Sequence, residues 1–278
     1  MLLAAISAAA CTDRALAPAG TLDSVDGPPD GGAPPAPRAP GSLPAEYCER
    51  IIVLDDGGGL ALFDPVALTF ADSAALRCPA TGTGAYSIAL DRMGALWVAD
   101  SGRQLYVADA QTGACTSVSA LGDPSHHRFD MTFAPDGADE SLFVLGASDD
   151  KHALFARVDP VTFALAPRGE LDTGGELTST EAGELWVLFR GAAPRVAQLD
   201  RATGAVTREL HVGAQLGDIT GDGVAFSSFR GAFYVFLLPH NSSTAVYRMS
   251  PADGSAERVV SHSGRSIISA TVARCLAP

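Results

Sequence analysis

Apolar residues along most of this chain come in short bursts, and the bursts come in pairs. In "GALWVADSGRQLYVADAQTG", residues 94–113, Leu96, Trp97 and Val98 form one burst and Leu105, Tyr106 and Val107 a second. A polar gap, "DSGRQ", separates them, and Asp109-Ala-Gln-Thr-Gly113 ends the phrase. This pattern predicts strand, turn, strand, tight turn. A lone hairpin is only marginally stable in water, so the phrase needs neighbours.

The chain supplies them by repetition. The first burst returns as "RIIVLDD" (50–56), "ESLFVLG" (140–146), "GELWVLF" (183–189) and "GAFYVFL" (231–237). Aligned on Ile51, Leu96, Leu142, Leu185 and Phe233, the steps are 45, 46, 43 and 48 residues. Each second burst runs into a turn at Asp64, Asp109, Asp159, Asp200 or Ser250. Asp and Ser there hydrogen-bond their own backbone two residues on, which is turn chemistry. Another short strand precedes most first bursts ("YSIALDRMG", "FDMTFAPDG", "ELTSTEAG", "VAFSSFRG"), and a fourth follows each Asp turn. No amphipathic helix pattern interrupts these units. Four short antiparallel strands at such a period predict an all-β propeller of five blades, spanning residues 47–278.

The first burst lacks an upstream strand, and the C-terminal "RSIISATVARC" (265–275) resembles "YSIALDRMG" but has no burst after it. The last strand is therefore expected to complete the first blade and close the ring, leaving no open edge. Cys48 and Cys275 flank that seam and are expected to bond; Cys78 and Cys115, at neighbouring outer strands, are the expected second pair. Free buried thiols are the alternative. The phrase "LWV-x-D … D-x-x-T-G" resembles the repeat idiom of bacterial NHL, YVTN and gluconolactonase-like propellers over residues 48–275. That resemblance implies a fold and leaves function open, because one propeller scaffold hosts many activities.

Composition changes the picture at the N-terminus. "MLLAAISAAAC" is too short to span a bilayer and turns polar immediately after Cys11. "SAAAC" resembles the end of a bacterial lipoprotein signal, in which the cysteine is acylated, although Ala8 stands where Leu is usual and no basic residue precedes the run. An ordinary secretory signal is the alternative. The resemblance implies export, a lipid anchor at Cys11 and an outer-membrane lipoprotein facing the periplasm or the cell surface. Residues 12–46, rich in Pro, Gly and Ala, cannot offset their ordering entropy by burial and are expected to form a tether. The net charge of −13 argues against nucleic-acid partners, whose phosphates require basic clusters.

Chemistry is harder to place. Propeller topology puts the second-to-third-strand turns and the blade-to-blade loops on one face, the top, and the Asp turns on the other. Top-face candidates are Asp55, Asp56, Arg103, His126, His127, Asp130, Asp149, Asp150, His152, His240 and His262. Imidazoles and carboxylates converging there would suit a divalent metal, but the spacing matches no metal motif, and no cofactor is expected. Asp130 and Glu176, near the starts of inner strands, are candidate channel acids. "GDITGDGVAF" (217–226) resembles a calcium loop, with Asp218 and Asp222, but Phe229 stands at the twelfth position, where a bidentate Glu is needed. The expected function is an envelope-anchored module binding a protein or glycan with its top face. The rival is a metal-dependent hydrolase or lactonase working in the channel.

Overall fold

In the computed structural model each pair of bursts becomes the second and third strands of a four-stranded antiparallel sheet. The structure describes residues 43–79, 84–122, 125–137, 139–147, 152–220, 223–240 and 242–275. Blade 1 contains β1 (Ile51–Asp55), β2 (Gly59–Asp64) and β3 (Thr69–Ala75). Blade 2 is β4 (Ala85–Leu90), β5 (Ala95–Asp100), β6 (Gln104–Asp109) and β7 (Cys115–Ala120). Blade 3 is β8 (His127–Asp136), β9 (Asp139–Ala147), β10 (Ala153–Val158) and β11 (Leu165–Leu171). Blade 4 is β12 (Gly175–Ser179), β13 (Leu185–Phe189), β14 (Arg195–Leu199) and β15 (Val206–His211). Blade 5 is β16 (Gly223–Phe229), β17 (Ala232–Leu238), β18 (Ala245–Met249) and β19 (Ala256–Val260).

The last strand, β20 (Ile267–Val272), leaves blade 5 and pairs antiparallel with β1, from Ile51 opposite Val272 to Asp55 opposite Ile267. Blade 1 thus takes its inner strand from the far end of the chain, as expected. The five inner strands touch in the order β20, β4, β8, β12, β16 and back to β20. The fold is a closed five-bladed β-propeller.

The bursts are explained by their place in the blade. A second strand is sandwiched between neighbouring blades, so both of its faces are buried and its residues read as a continuous apolar run. On β1, Ile51 and Val53 pack toward blade 5, while Ile52 and Leu54 pack toward blade 2. Outer strands such as β15 are largely exposed, which is why they carry little apolar signal.

Five apolar clusters fill the five joints, including the joint between blades 5 and 1. Trp97 of blade 2 lies edge-on to Phe133 of blade 3 at 5.7 Å between ring centroids. Trp186 meets Phe233 at 5.2 Å across the next joint but one, and Phe63 meets Phe236 at 5.5 Å across the seam.

Both expected disulfides are present, Cys48–Cys275 and Cys78–Cys115. The first ties the residues flanking β1 and β20. It is preceded by a single helical turn, α1 (Ala45–Cys48), whose Tyr47 hydroxyl bonds Ser73 Oγ at 2.6 Å and Ala110 O at 3.2 Å. A second short turn, α2 (Gly213–Leu216), was not anticipated from the periodicity. It is too short to show a helical repeat; it carries Leu216 into the joint between blades 4 and 5 beside Val212 and Ile219.

Candidate functional site

The channel begins with a backbone problem. Each inner strand is a sheet edge, and its outward N–H groups face the neighbouring blade rather than a partner strand. Buried donors without acceptors are costly, so side chains must supply the acceptors. Ser269 Oγ accepts from Ile88 N at 3.0 Å, and Ser87 Oγ accepts from Met131 N at 3.1 Å. Asp130 Oδ2 accepts from Leu177 N, and Thr178 Oγ1 accepts from Ser228 N at 2.9 Å. Thr244 Oγ1 accepts from Ile267 N at 2.9 Å and completes the circuit. Polar residues stitch the blades together at every joint, from the inner strands at four of them and from Thr244, just before β18, at the joint between blades 5 and 1.

The two channel acids belong to this network. Asp130 Oδ1 accepts the Ser87 hydroxyl at 2.6 Å, so both of its oxygens hold neighbouring blades. Glu176 pairs with Arg190, which follows β13 at the top of the channel. Asp130 is 5 % exposed and Glu176 4 %, which puts both out of easy reach of a substrate. Burial, and then the charge of Glu176, hold the Asp130 carboxyl well above its usual range. Burial also raises Glu176, while Arg190 opposes the rise; Glu176 in turn reinforces the charge on Arg190. Tyr86 lies in the same field, and its phenol is pushed up by burial first and Glu176 second. A bulge in β8 between His127 and Asp130 sets Arg128 in the left-handed region at φ 51°, within electrostatic range of Tyr86. The arrangement places one ion pair and a carboxyl with a raised pKa inside the wall of the channel.

The other candidates scatter over the top face. Asp55 closes its own turn by accepting from Gly57 N at 3.0 Å and Gly59 N at 2.7 Å. Asp56 is exposed beside it. Arg103 takes φ 77° and donates to Leu121 O at 3.3 Å. His126 is half-buried with Nδ1 3.1 Å from Ser125 Oγ, and His127 opens β8 opposite Ala147. His152, His240 and His262 are exposed in separate loops. Asp149 and Asp150 lie outside the described residues. Asp130 sits in the channel wall rather than on the face. Among the described residues no three His, Cys, Asp or Glu side chains gather as a metal-binding group. Asp218 accepts from Thr220 N at 2.8 Å as a turn residue, and Asp222 is outside the described residues.

Two depressions flank the Asp56–Gly57 loop on this face. One, of about 470 Å³, is lined by Asp55, Asp56, Asp72 and Arg265. The other, of about 210 Å³, lies between blades 1 and 2 and is lined by Asp56, Asp100 and Tyr106. Both are rich in hydrogen-bonding groups.

The stitch residues Ser87, Thr178, Thr244 and Ser269, with Tyr86 and Arg190, were not foreseen. One signal was available: "YSIAL" and "RSIISATV" each hold a small hydroxyl residue within an otherwise mostly apolar strand, at Ser87 and Ser269.

No family model matches the chain, and no curated protein matches it. Solved structures do. BamB from Moraxella catarrhalis aligns at 17 % identity and TM-score 0.39, over 75 % of this chain and 57 % of that one. A GH43 glycoside hydrolase with endo-xylanase and exo-arabinofuranosidase activity aligns at 13 % identity and TM-score 0.47, over 63 % of this chain and 41 % of that one. A Bacteroides caccae protein of unknown function aligns at 12 % identity and TM-score 0.47, over 81 % of this chain and 98 % of that one. This chain therefore spans about half the length of the first two, and such distant likenesses assign no activity to it.

Proposed function

We propose that the protein is an exported lipoprotein, anchored through acylated Cys11, that binds a protein or glycan partner with the top face of its propeller. The repeat idiom it shares with NHL, YVTN and gluconolactonase-like propellers serves here as a scaffold. The observation that carries this reading is the state of the channel acids. Asp130 is engaged by Ser87 and Leu177, and Glu176 by Arg190, so the channel wall acts as a seam. Recognition then falls to the loops. The chain also enters and leaves at the bottom: Cys48 precedes β1, Cys275 follows β20, and their disulfide joins the two there. The top-face depressions at Asp56 lie at the other end of β1. Their carboxylates, with Arg265 and Tyr106, suit a hydroxyl-rich glycan or a basic protein segment.

The test compares three full-length proteins in the cell envelope. Wild type is expected to label with palmitate, sediment with membrane and co-purify with one partner. Cys11→Ser should lose the label and the membrane fraction. The triple variant Asp56→Ala/His126→Ala/His127→Ala should stay anchored but lose the partner. Partner retention by the triple variant would overturn the top-face reading. Hydrolytic activity that disappears with Asp130→Asn would favour the channel instead.

A further inference from the structure

Below the acids, the channel narrows to a cavity of about 10 Å³ that all five inner strands line, through Leu90, Thr132, Thr178, Ser227 and Thr271. Arg274, two residues past β20, closes it from the bottom. So small a volume admits a single small particle.

The lining is a set of donors. Among the described residues, the Ser227 hydroxyl, buried at 1 % exposure, and the buried Arg274 Nε–H have no hydrogen-bond partner. Thr178 and Thr271 accept backbone N–H bonds from Ser228 and Leu90, which leaves their hydroxyl hydrogens to donate. The rest of the Arg274 guanidinium is held by neutral acceptors: Phe133 O at 2.8 Å, Thr180 O at 3.2 Å and Ser179 Oγ. Among the described residues no carboxylate forms an ion pair with it; Glu140 and Glu181 act on it only at longer range. Burial works against its charge, and a buried cation with neutral partners is costly unless a counter-charge is near.

We propose that the propeller axis is a binding site for one monovalent anion of halide size, held by Arg274 Nε and the hydroxyls of Ser227, Thr178 and Thr271. A cation is disfavoured by the guanidinium, and an oxyanion such as sulfate by the volume. The anion would pin blades 1, 4 and 5 to one another where the ring closes. This site is independent of the top face and of any partner bound there.

The test uses the full chain. Thermal unfolding in sodium bromide is compared with sodium gluconate at equal ionic strength, and crystals grown in bromide are measured for anomalous scattering. The expected results are a saturable rise in Tm with bromide and an anomalous peak on the axis within hydrogen-bond distance of Ser227 Oγ. Arg274→Met should abolish the rise. Ser227→Ala, which leaves the charge in place and guards against a folding defect in the first variant, should shift the bromide midpoint several-fold upward. A neutral water in the cavity gives no axial peak and equal Tm in the two salts, and that result overturns the proposal.

Discussion

At the residue scale, the repeated Asp is explained by a five-residue turn with a left-handed last position. Asp64, Asp109, Asp159 and Asp200 each accept from the backbone N–H groups two and three residues on, and Ser250 from the one two residues on. Those donations hold the Asp64 and Asp159 carboxyls below their usual range; at Asp200 the Thr203 hydroxyl is the main cause and the backbone N–H groups add to it. The fifth residue takes φ 71° at Gly113, 72° at Gly204 and 74° at Gly254, but Leu68 and Phe163 adopt 59° in blades 1 and 3. At Gly113 a Cβ would lie 1.9 Å from the carbonyl oxygen of Ala75. Gly113→Ala is therefore expected to cost about 3 kcal/mol, the sum of left-handed strain and overpacking, read as a lower urea midpoint. Glu140 makes a different prediction. Burial is the main reason its carboxyl rises from 4.5 to about 7; Asp91 adds to the rise, while the Arg92 N–H, Arg274 and Arg92 oppose it. The folded state binds this proton more tightly than the unfolded chain does. The associated stability is thus complete below about pH 4.5 and is lost as pH climbs through about 7. Glu140→Gln keeps an acceptor for Arg92 N, 2.8 Å away, and removes the titration. Relative to wild type it should gain about 1 kcal/mol between pH 5 and pH 8, a figure reduced for the partial exposure of the side chain. Parallel urea midpoints for the two proteins across that range would show that another group titrates.

At the element scale, the inner strands carry the argument. Their small polar residues look undistinguished in the sequence because each makes its bond to a strand roughly one blade away, 43 residues off between Ser87 and Asp130 and 50 between Thr178 and Ser228. Periodicity reports which face of a strand is buried; it does not report what a buried hydroxyl touches. Second strands were legible for the opposite reason, since burial on both faces writes an unbroken apolar run such as "LWVLF". Asp130 shows the boundary between the two cases. Its place near the start of an inner strand was readable from the repeat, whereas its bonds to Ser87 and Leu177, which decide what it does, required three blades to be in position. Thr178→Val tests the stitch with little change of volume. It leaves the Ser228 N–H buried without its acceptor, at an expected cost of about 2 kcal/mol. The Ser228 amide should exchange with solvent markedly faster, while amides of the joint between blades 2 and 3 keep their protection. Uniform loss of protection around the ring would instead mean that the five joints open as one unit.

At the scale of the whole molecule, closure is the property that the repeat made most legible. A missing strand at one end and a surplus strand at the other left one arrangement without open edges, and β20 beside β1 is that arrangement. The seam is then held by three kinds of interaction at once: the β1–β20 ladder, the aromatic contact of Phe63 with Phe236, and the Cys48–Cys275 bond. These differ in what they do to the unfolded chain. The ladder and the rings act only when the ring is folded, whereas the disulfide restricts the unfolded ensemble as well. Its loop spans a sequence separation of 227 residues, against 37 for Cys78–Cys115. Chain entropy gives about 5.4 kcal/mol for the longer loop and about 3.8 kcal/mol for the shorter, a difference of about 1.6 kcal/mol that stays modest because the dependence is logarithmic. The two bonds should therefore differ modestly in equilibrium stability and strongly in cooperativity. Breaking Cys78–Cys115 loosens one joint between adjacent outer strands. Breaking Cys48–Cys275 frees both chain ends at the single place where β20 can peel from β1 and expose an edge. Cys48→Ser/Cys275→Ser is expected to give early proteolytic cleavage on the C-terminal side of blade 5, near Arg265, before global unfolding. Cys78→Ser/Cys115→Ser should show no such early fragment. Identical digestion patterns for the two pairs would show that the ladder and the aromatic contact close the ring without help from the bond.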